Sequence, residues 1–282
     1  MPRRVPRIAH LFYDARDEPG IRFAPRARLL NPDAYLFGIL LRESVDTGPQ
    51  SPVRGVQLLI QPVISQWATT QFIGIYPSGS FAKGTANRSG TDIDLFISLR
   101  HDTRQTLGEI YESLFKWLAD RGYAPTRQNV SIHIKLAGYS VDLVPAKQQA
   151  SLVGDHSLYR RKAGTWAKTN VGTHILHVLG GGRINETRIL KLWRNQKRLE
   201  FPSFYLEMTV ISALRGHAPA ALSTNVARVF AYLRDNFPDA RVVDPASSGN
   251  IISEDLTAAE KASIKAAATR ALAAQNWNQI VV

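Results

Sequence analysis

A glycine-serine turn and three aspartates are the residues of this chain best suited to chemistry. Residues 78–94 read Ser-Gly-Ser-Phe-Ala-Lys-Gly-Thr-Ala-Asn-Arg-Ser-Gly-Thr-Asp-Ile-Asp, and Tyr139-Ser-Val-Asp-Leu-Val-Pro145 sets one more aspartate between apolar neighbours. Asp92 and Asp94 are two positions apart, so on a strand both side chains leave the same face. Paired hard carboxylates suit Mg²⁺ (or Mn²⁺), which takes oxygen ligands and completes its shell with water and substrate phosphates. With Asp142 as a third metal ligand from a neighbouring strand, the set can hold two ions about 3.5–4 Å apart, one serving an attacking hydroxyl and one a leaving pyrophosphate. Asp142 is expected on the hydroxyl side, as ligand and general base. Gly79 lets the backbone approach a phosphate closely, while Ser80 and the amides of the following helix start can donate to a triphosphate.

Each part also has an ordinary reading. A Gly-Ser pair is a turn, an Asp-x-Asp a solvated strand end, and an aspartate in an apolar strand a satisfied structural carboxylate. Their occurrence together, in this order and each beside an apolar strand, favours a site over several coincidences.

Periodicity supplies the elements that must position them. Residues 72–76 read as a strand, 77–80 as a turn, 81–86 as a helix start and 91–99 as a second strand. Residues 103–122 form an amphipathic helical pattern, and 129–135 with 139–144 read as a hairpin around Ala137-Gly138 that delivers Asp142. Helices predicted over 33–45 and 54–70, the latter kinked by Pro62, would brace the sheet. From about Asp155 onward the chain reads as helical, over 173–179, 185–198, 203–214, 219–236 and 257–275, with breaks at Gly180-Gly-Gly182 and at 238–249. The expected fold class is α+β: a mixed β-sheet core with helices over 1–155, then a helical domain over 156–282. A nucleotide would lie in the cleft between them.

Composition fits such a reading. The chain has 282 residues, 44% of them hydrophobic, enough for a sizeable core in one or two domains. There is no cysteine, which excludes a disulfide framework and Cys-based zinc modules. His174 and His177 are read as packing or polar helix-face residues. The basic opening Met1-Pro-Arg-Arg-Val-Pro-Arg is not followed by a long apolar run, so no signal peptide or membrane helix is expected and the cytoplasm is the default location. Lys and Arg total 35 against 23 Asp and Glu, a net charge of +12 that favours polyanionic partners. The cluster Lys191, Arg194, Lys197 and Arg198 could extend that field across a cleft or form a solvated helix face.

The Gly79-Ser80 turn, the Asp92-x-Asp94 pair and the later strand aspartate Asp142 together resemble the DNA polymerase β nucleotidyltransferase superfamily. The runs Gly79-Ser-Phe-Ala-Lys-Gly-Thr85 and Asp142-Leu-Val-Pro145 are similar to the branch of 2′-5′-oligoadenylate synthases, bacterial cyclic-oligonucleotide synthases (CD-NTases) and archaeal-type CCA-adding enzymes. So are Ile189-Leu-Lys-Leu-Trp-Arg194, Pro202-Ser-Phe-Tyr-Leu-Glu207 and Asp244-Pro-Ala-Ser-Ser-Gly-Asn250. The resemblance covers most of the chain, from about residue 70.

It implies two-metal nucleotidyl transfer from NTPs with Asp92, Asp94 and Asp142 as catalytic residues. It also implies nucleotide binding by Gly79, Ser80, Lys191 and Ser203 at the triphosphate and by Phe204 stacked on the base. Lys191 has a surface alternative, Phe204 a core one, and Tyr205 competes as stacker. The branch leaves the acceptor open. The chain ends soon after its Asp-Pro motif, and Gly164-Thr-Trp-Ala-Lys-Thr-Asn-Val171 is similar to a Trp-x-x-Thr-Asn element of the bacterial synthases. Both favour a cyclic or short linear oligonucleotide messenger, in an antiphage setting. The strong basicity instead suits RNA, as the acceptor of a template-independent RNA or tRNA 3′-end transferase or as an activator. A nucleic-acid-binding pseudoenzyme is the remote alternative.

Overall fold

The computed structural model describes residues 31–90, 92–149 and 154–282, and contacts gather Pro32–Val282 into one compact unit. The irregular N-terminal stretch read from the sequence, like Thr91, lies outside the described residues. Helix α1 (Pro32–Arg42) is followed by α2 (Pro52–Ala68), strand β1 (Phe72–Pro77), the single turn α3 (Gly79–Ala82), β2 (Ile93–Leu99) and α4 (Leu107–Ala119). Strands β3 (Thr126–Arg127), β4 (Ile132–Leu136), β5 (Tyr139–Gln148), β6 (His156–Arg160) and β7 (Thr165–Thr169) complete one sheet. Then come α5 (Val171–Gly181), α6 (Ile184–Gln196), α7 (Ser203–Ala213), α8 (Leu222–Asp235), the small hairpin β8 (Val243–Asp244) with β9 (Ser247–Ile251), and α9 (Ala258–Ala273).

The sheet runs β1-β2-β5-β4-β3, with β6 on β5 and β7 on β6. Its central pair, β2 and β5, is parallel and in register, Asp94 beside Asp142. Alternation along β2 explains why an apolar strand carries a carboxylate: Ile93, Leu95, Ile97 and Leu99 are buried, and Asp94 leaves the other face. Residues opposite in register share a face, so Asp142 joins Asp94. The buried face of the sheet meets Val56, Ile60 and Ile64 of α2 and Ile110, Leu114 and Leu118 of α4 in one apolar cluster. A capping box between Thr106 and Glu109 starts α4.

Two expectations are corrected. Of the two N-terminal helices, α2 alone joins the apolar cluster of the sheet. Leu36, Ile39 and Leu40 of α1 join a second apolar cluster with Leu190 and Trp193 of α6, Tyr205 of α7, Phe230 of α8 and Ile264 of α9. The amphipathic period shows that a helix has an apolar face but not which layer it meets. The chain also does not turn helical at Asp155. Strands β6 and β7 extend the sheet to Thr169. Asn170 then caps α5 by accepting from the Thr173 amide, 3.0 Å. Short polar-apolar runs around a Lys-Ala-Gly turn carry little strand signal on an edge, which is why the pair was not read from sequence.

Candidate active site

Gly79 opens α3 with φ +56°, a conformation glycine adopts without strain. A Cβ at this position would lie 1.7 Å from Asp94 Oδ2, so the turn rests directly on the carboxylate. The Ser78 amide donates to the Asp94 carbonyl at 2.8 Å, fixing the turn to β2. Ser80 is half-buried in the same turn. Asp92 is exposed and stands one residue before β2 rather than on it.

The carboxylates act on one another. Burial, then the Asp142 and Asp92 charges, push the Asp94 carboxyl up to about 6, against the pull of Lys83 and Lys191. Asp142 is also raised, by burial and by Asp92, and opposed by hydrogen bonds. Those bonds come from His133 Nδ1 at 2.9 Å and Gln128 Nε2 at 3.2 Å, both to Oδ1. His133 is the register partner of Asp142 across β4 and β5, so the pair follows from strand pairing. Such outer contacts orient a ligating carboxylate.

Among the described residues, no three histidine, aspartate or glutamate side chains are gathered closely enough to hold one metal ion. The donor set nevertheless fits a divalent cation. Asp92, Asp94 and Asp142 are hard oxygen donors; burial, and after it the repulsion of its neighbours, raises Asp94, and a cation relieves that repulsion.

Facing them is a cationic group. Lys191, 4% exposed on α6, places Nζ 2.8 Å from Thr85 Oγ1 and 2.6 Å from Glu207 Oε1. Lys83, from the loop after α3, donates to Glu207 Oε2 and lies 5.0 Å from the centroid of the Phe204 ring. Ser203 is exposed at the start of α7 and accepts from Arg194 Nη1 at 3.0 Å. Half-buried Phe204 packs on His174, ring centroids 4.3 Å apart. His174 Nε2 in turn bonds Asp244 Oδ1 at 2.7 Å. Half-buried Arg188 bonds the Ala86 carbonyl and Asn87 Oδ1 on one side and the Leu40 and Glu43 carbonyls on the other, tying the loop before Asp92 to α1 and α6.

The surface alternative for Lys191 is thereby corrected. Tyr205 is fully buried against Phe201 and Phe237 and is core, not a competing stacker. The pairing of His174 with Phe204 was not visible in sequence, because the two are 30 residues apart on different helices. Lys83 and Thr85 belong to the run Gly79–Thr85 and Glu207 to the run Pro202–Glu207, but only the folded chain shows them meeting.

A family model described as "Nucleotidyltransferase domain" matches residues 66–156, the stretch from the end of α2 to the first residue of β6 and the one that carries Gly79, Asp92, Asp94 and Asp142. This stretch is a nucleotidyltransferase domain. A curated relative, the cyclic AMP-AMP-AMP synthase of Escherichia coli (strain MS 115-1), is 26% identical over 156 residues, 49% of this chain and 47% of the relative. The match thus spans about half the length of that relative. Among solved structures, E. coli MS115-1 CdnC in a HORMA-deltaN complex superposes at TM-score 0.71 with 18% identity, covering 87% of this chain and 90% of that one. The Bradyrhizobium diazoefficiens CD-NTase CdnG in complex with GTP gives 0.67 with 14% identity, covering 86% and 92%. The matched stretch and the helices after it therefore share the fold of these CD-NTase structures. No helix among the described residues is long and apolar enough to cross a membrane.

Proposed function

We propose that this protein transfers a nucleoside monophosphate from an NTP to a hydroxyl and releases pyrophosphate, forming a cyclic or short linear oligonucleotide. The observation that carries the chemistry is the in-register Asp94–Asp142 pair with the Gly79 turn seated on Asp94. The likeness to a cyclic AMP-AMP-AMP synthase supports the product class. The two halves would meet at the nucleotide, with the catalytic half enlarged to include β6 and β7.

In this reading Lys83, Lys191, Ser80 and Ser203 take the triphosphate and Phe204 the base. Asp92, Asp94 and Asp142 would hold divalent cations, Mg²⁺ or Mn²⁺, which supply charge neutralisation for the phosphates and the attacking oxygen. The acceptor oxygen bonds to the α-phosphorus as the bond to the bridging oxygen of pyrophosphate breaks. Asp142 accepts the hydroxyl proton. Its Oδ1 is engaged by His133 and Gln128, which aims the carboxylate and directs proton acceptance to Oδ2.

The deciding experiment is incubation of purified protein with labelled ATP, GTP, CTP and UTP and Mg²⁺ or Mn²⁺, with and without RNA. Phosphatase-resistant small products without RNA support the messenger reading. Label found only on RNA 3′ ends transfers the assignment to an RNA-terminal enzyme. No metal-dependent pyrophosphate release at all would leave a pseudoenzyme.

A further inference from the structure

Glu207, on α7, is a carboxylate with no exposed surface. Its Oε2 accepts from Lys83 Nζ at 2.5 Å, and its Oε1 accepts from Lys191 Nζ at 2.6 Å and Thr85 Oγ1 at 2.7 Å. Lys191 also donates to Thr85 Oγ1. Four side chains from the loop after α3, from α6 and from α7 thus close one network around a single carboxylate. Stability does not account for it, because desolvating three charges costs several kcal/mol per ion, and apolar side chains of like volume usually serve a core at least as well.

We infer that Glu207 is a positioning residue that holds Lys83 and Lys191 together as one preformed grip for the triphosphate of the substrate. This rests on the nucleotidyl-transfer reading above. Two ammonium groups whose side chains are 7% and 6% exposed would repel each other and shed a proton without an anion between them. Burial already brings Lys191 down to about 8, with Glu207 opposing it and Lys83 and Arg194 adding to the fall. Burial also acts to raise Glu207, but Lys191 and Lys83 outweigh it and leave the carboxyl below its ordinary value. The groups facing the network are Lys83 and Thr85 from the loop, Lys191 and Arg194 from α6, and Asp94 from β2. An arriving triphosphate meets two charged ammoniums already spaced by Glu207, so the ordering cost falls on folding rather than on binding.

The test compares Glu207→Gln and Glu207→Asp with the wild type by steady-state kinetics across pH 6.5–9.5, thermal melts, and titration with a non-hydrolysable NTP analogue. For E207Q, KM should rise about tenfold or more with kcat little changed. Its alkaline limb of kcat/KM should move about one unit toward lower pH. E207D keeps the charge but is shorter, so KM rises while the limb stays in place. A purely structural Glu207 would lower the melting temperature and leave that limb unmoved. Wild-type KM and wild-type pH limb in either folded variant overturn the inference. If the wild type shows no transfer, it is the proposed function that fails, and analogue affinity across the same pH range still decides the role of Glu207.

Discussion

Gly79→Ala tests the seating of the turn on Asp94. The added Cβ would fall 1.7 Å from Oδ2, 2.4 Å from Cγ and 2.8 Å from Cβ of Asp94. Ordinary contact begins near 3.4 Å, so turn and carboxylate must separate by about 1.7 Å. A misplacement of about 1 Å at a reacting centre costs roughly 10²-fold in rate, about 2.7 kcal/mol of barrier. Left-handed backbone strain for alanine adds about 1–2 kcal/mol to the loss of stability. Gly84→Ala is the matched control: its φ is +69° and no atom lies within 4 Å of the added Cβ. It bears the same strain without the clash. The assay is metal-dependent pyrophosphate release at saturating NTP, with melts run in parallel. G79A should lose about a hundredfold or more in kcat while G84A stays within about threefold and melts lower. Equal rates in the two variants would refute the claim that contact with Asp94, rather than backbone strain, makes glycine necessary here.

Asp94→Asn should abolish transfer and yet stabilise the protein in chelator at pH 7.5. The folded pKa of about 6 lies above the ordinary 3.8, so stability present at low pH is lost as pH rises through that window, by about 3 kcal/mol at most. The variant escapes that loss. Millimolar Mg²⁺ should then raise the melting temperature of the wild type but not of D94N, and equal shifts would remove Asp94 from the cation site. His133→Ala, which frees Asp142 Oδ1 of its shorter hydrogen bond, should lower kcat about 10–100-fold with KM for NTP near wild type. A His133→Ala variant turning over at the wild-type rate would show that Asp142 needs no orientation from β4.

What could be read from the sequence was what strand geometry and local spacing determine. Asp94 and Asp142 stand in apolar strands whose period of two decides their face. Gly79 opens the four-residue turn α3, which ends at Ala82. Such features need only neighbours in the chain. Even so, the two-residue spacing put Asp92 on β2, whereas the strand begins one residue later, because register near a strand end is set by pairing partners and not by periodicity.

The network around Glu207 was legible only as separate pieces. Lys83 and Glu207 are 124 positions apart, and Lys191 and Thr85 are 106 apart. Lys83, after a short turn, and Thr85, in a loop, have unremarkable local contexts. A buried glutamate in a stretch such as Tyr205-Leu-Glu-Met-Thr-Val210 does conflict with its surroundings unless cations reach it. Since burying a lone carboxylate is too costly to persist, the apolar run of α7 already requires a basic partner from elsewhere in the fold. The conflict between residue type and local pattern marks the position, and the supply of one lysine from the loop after α3 and one from α6 turns it into a candidate part of the nucleotide site.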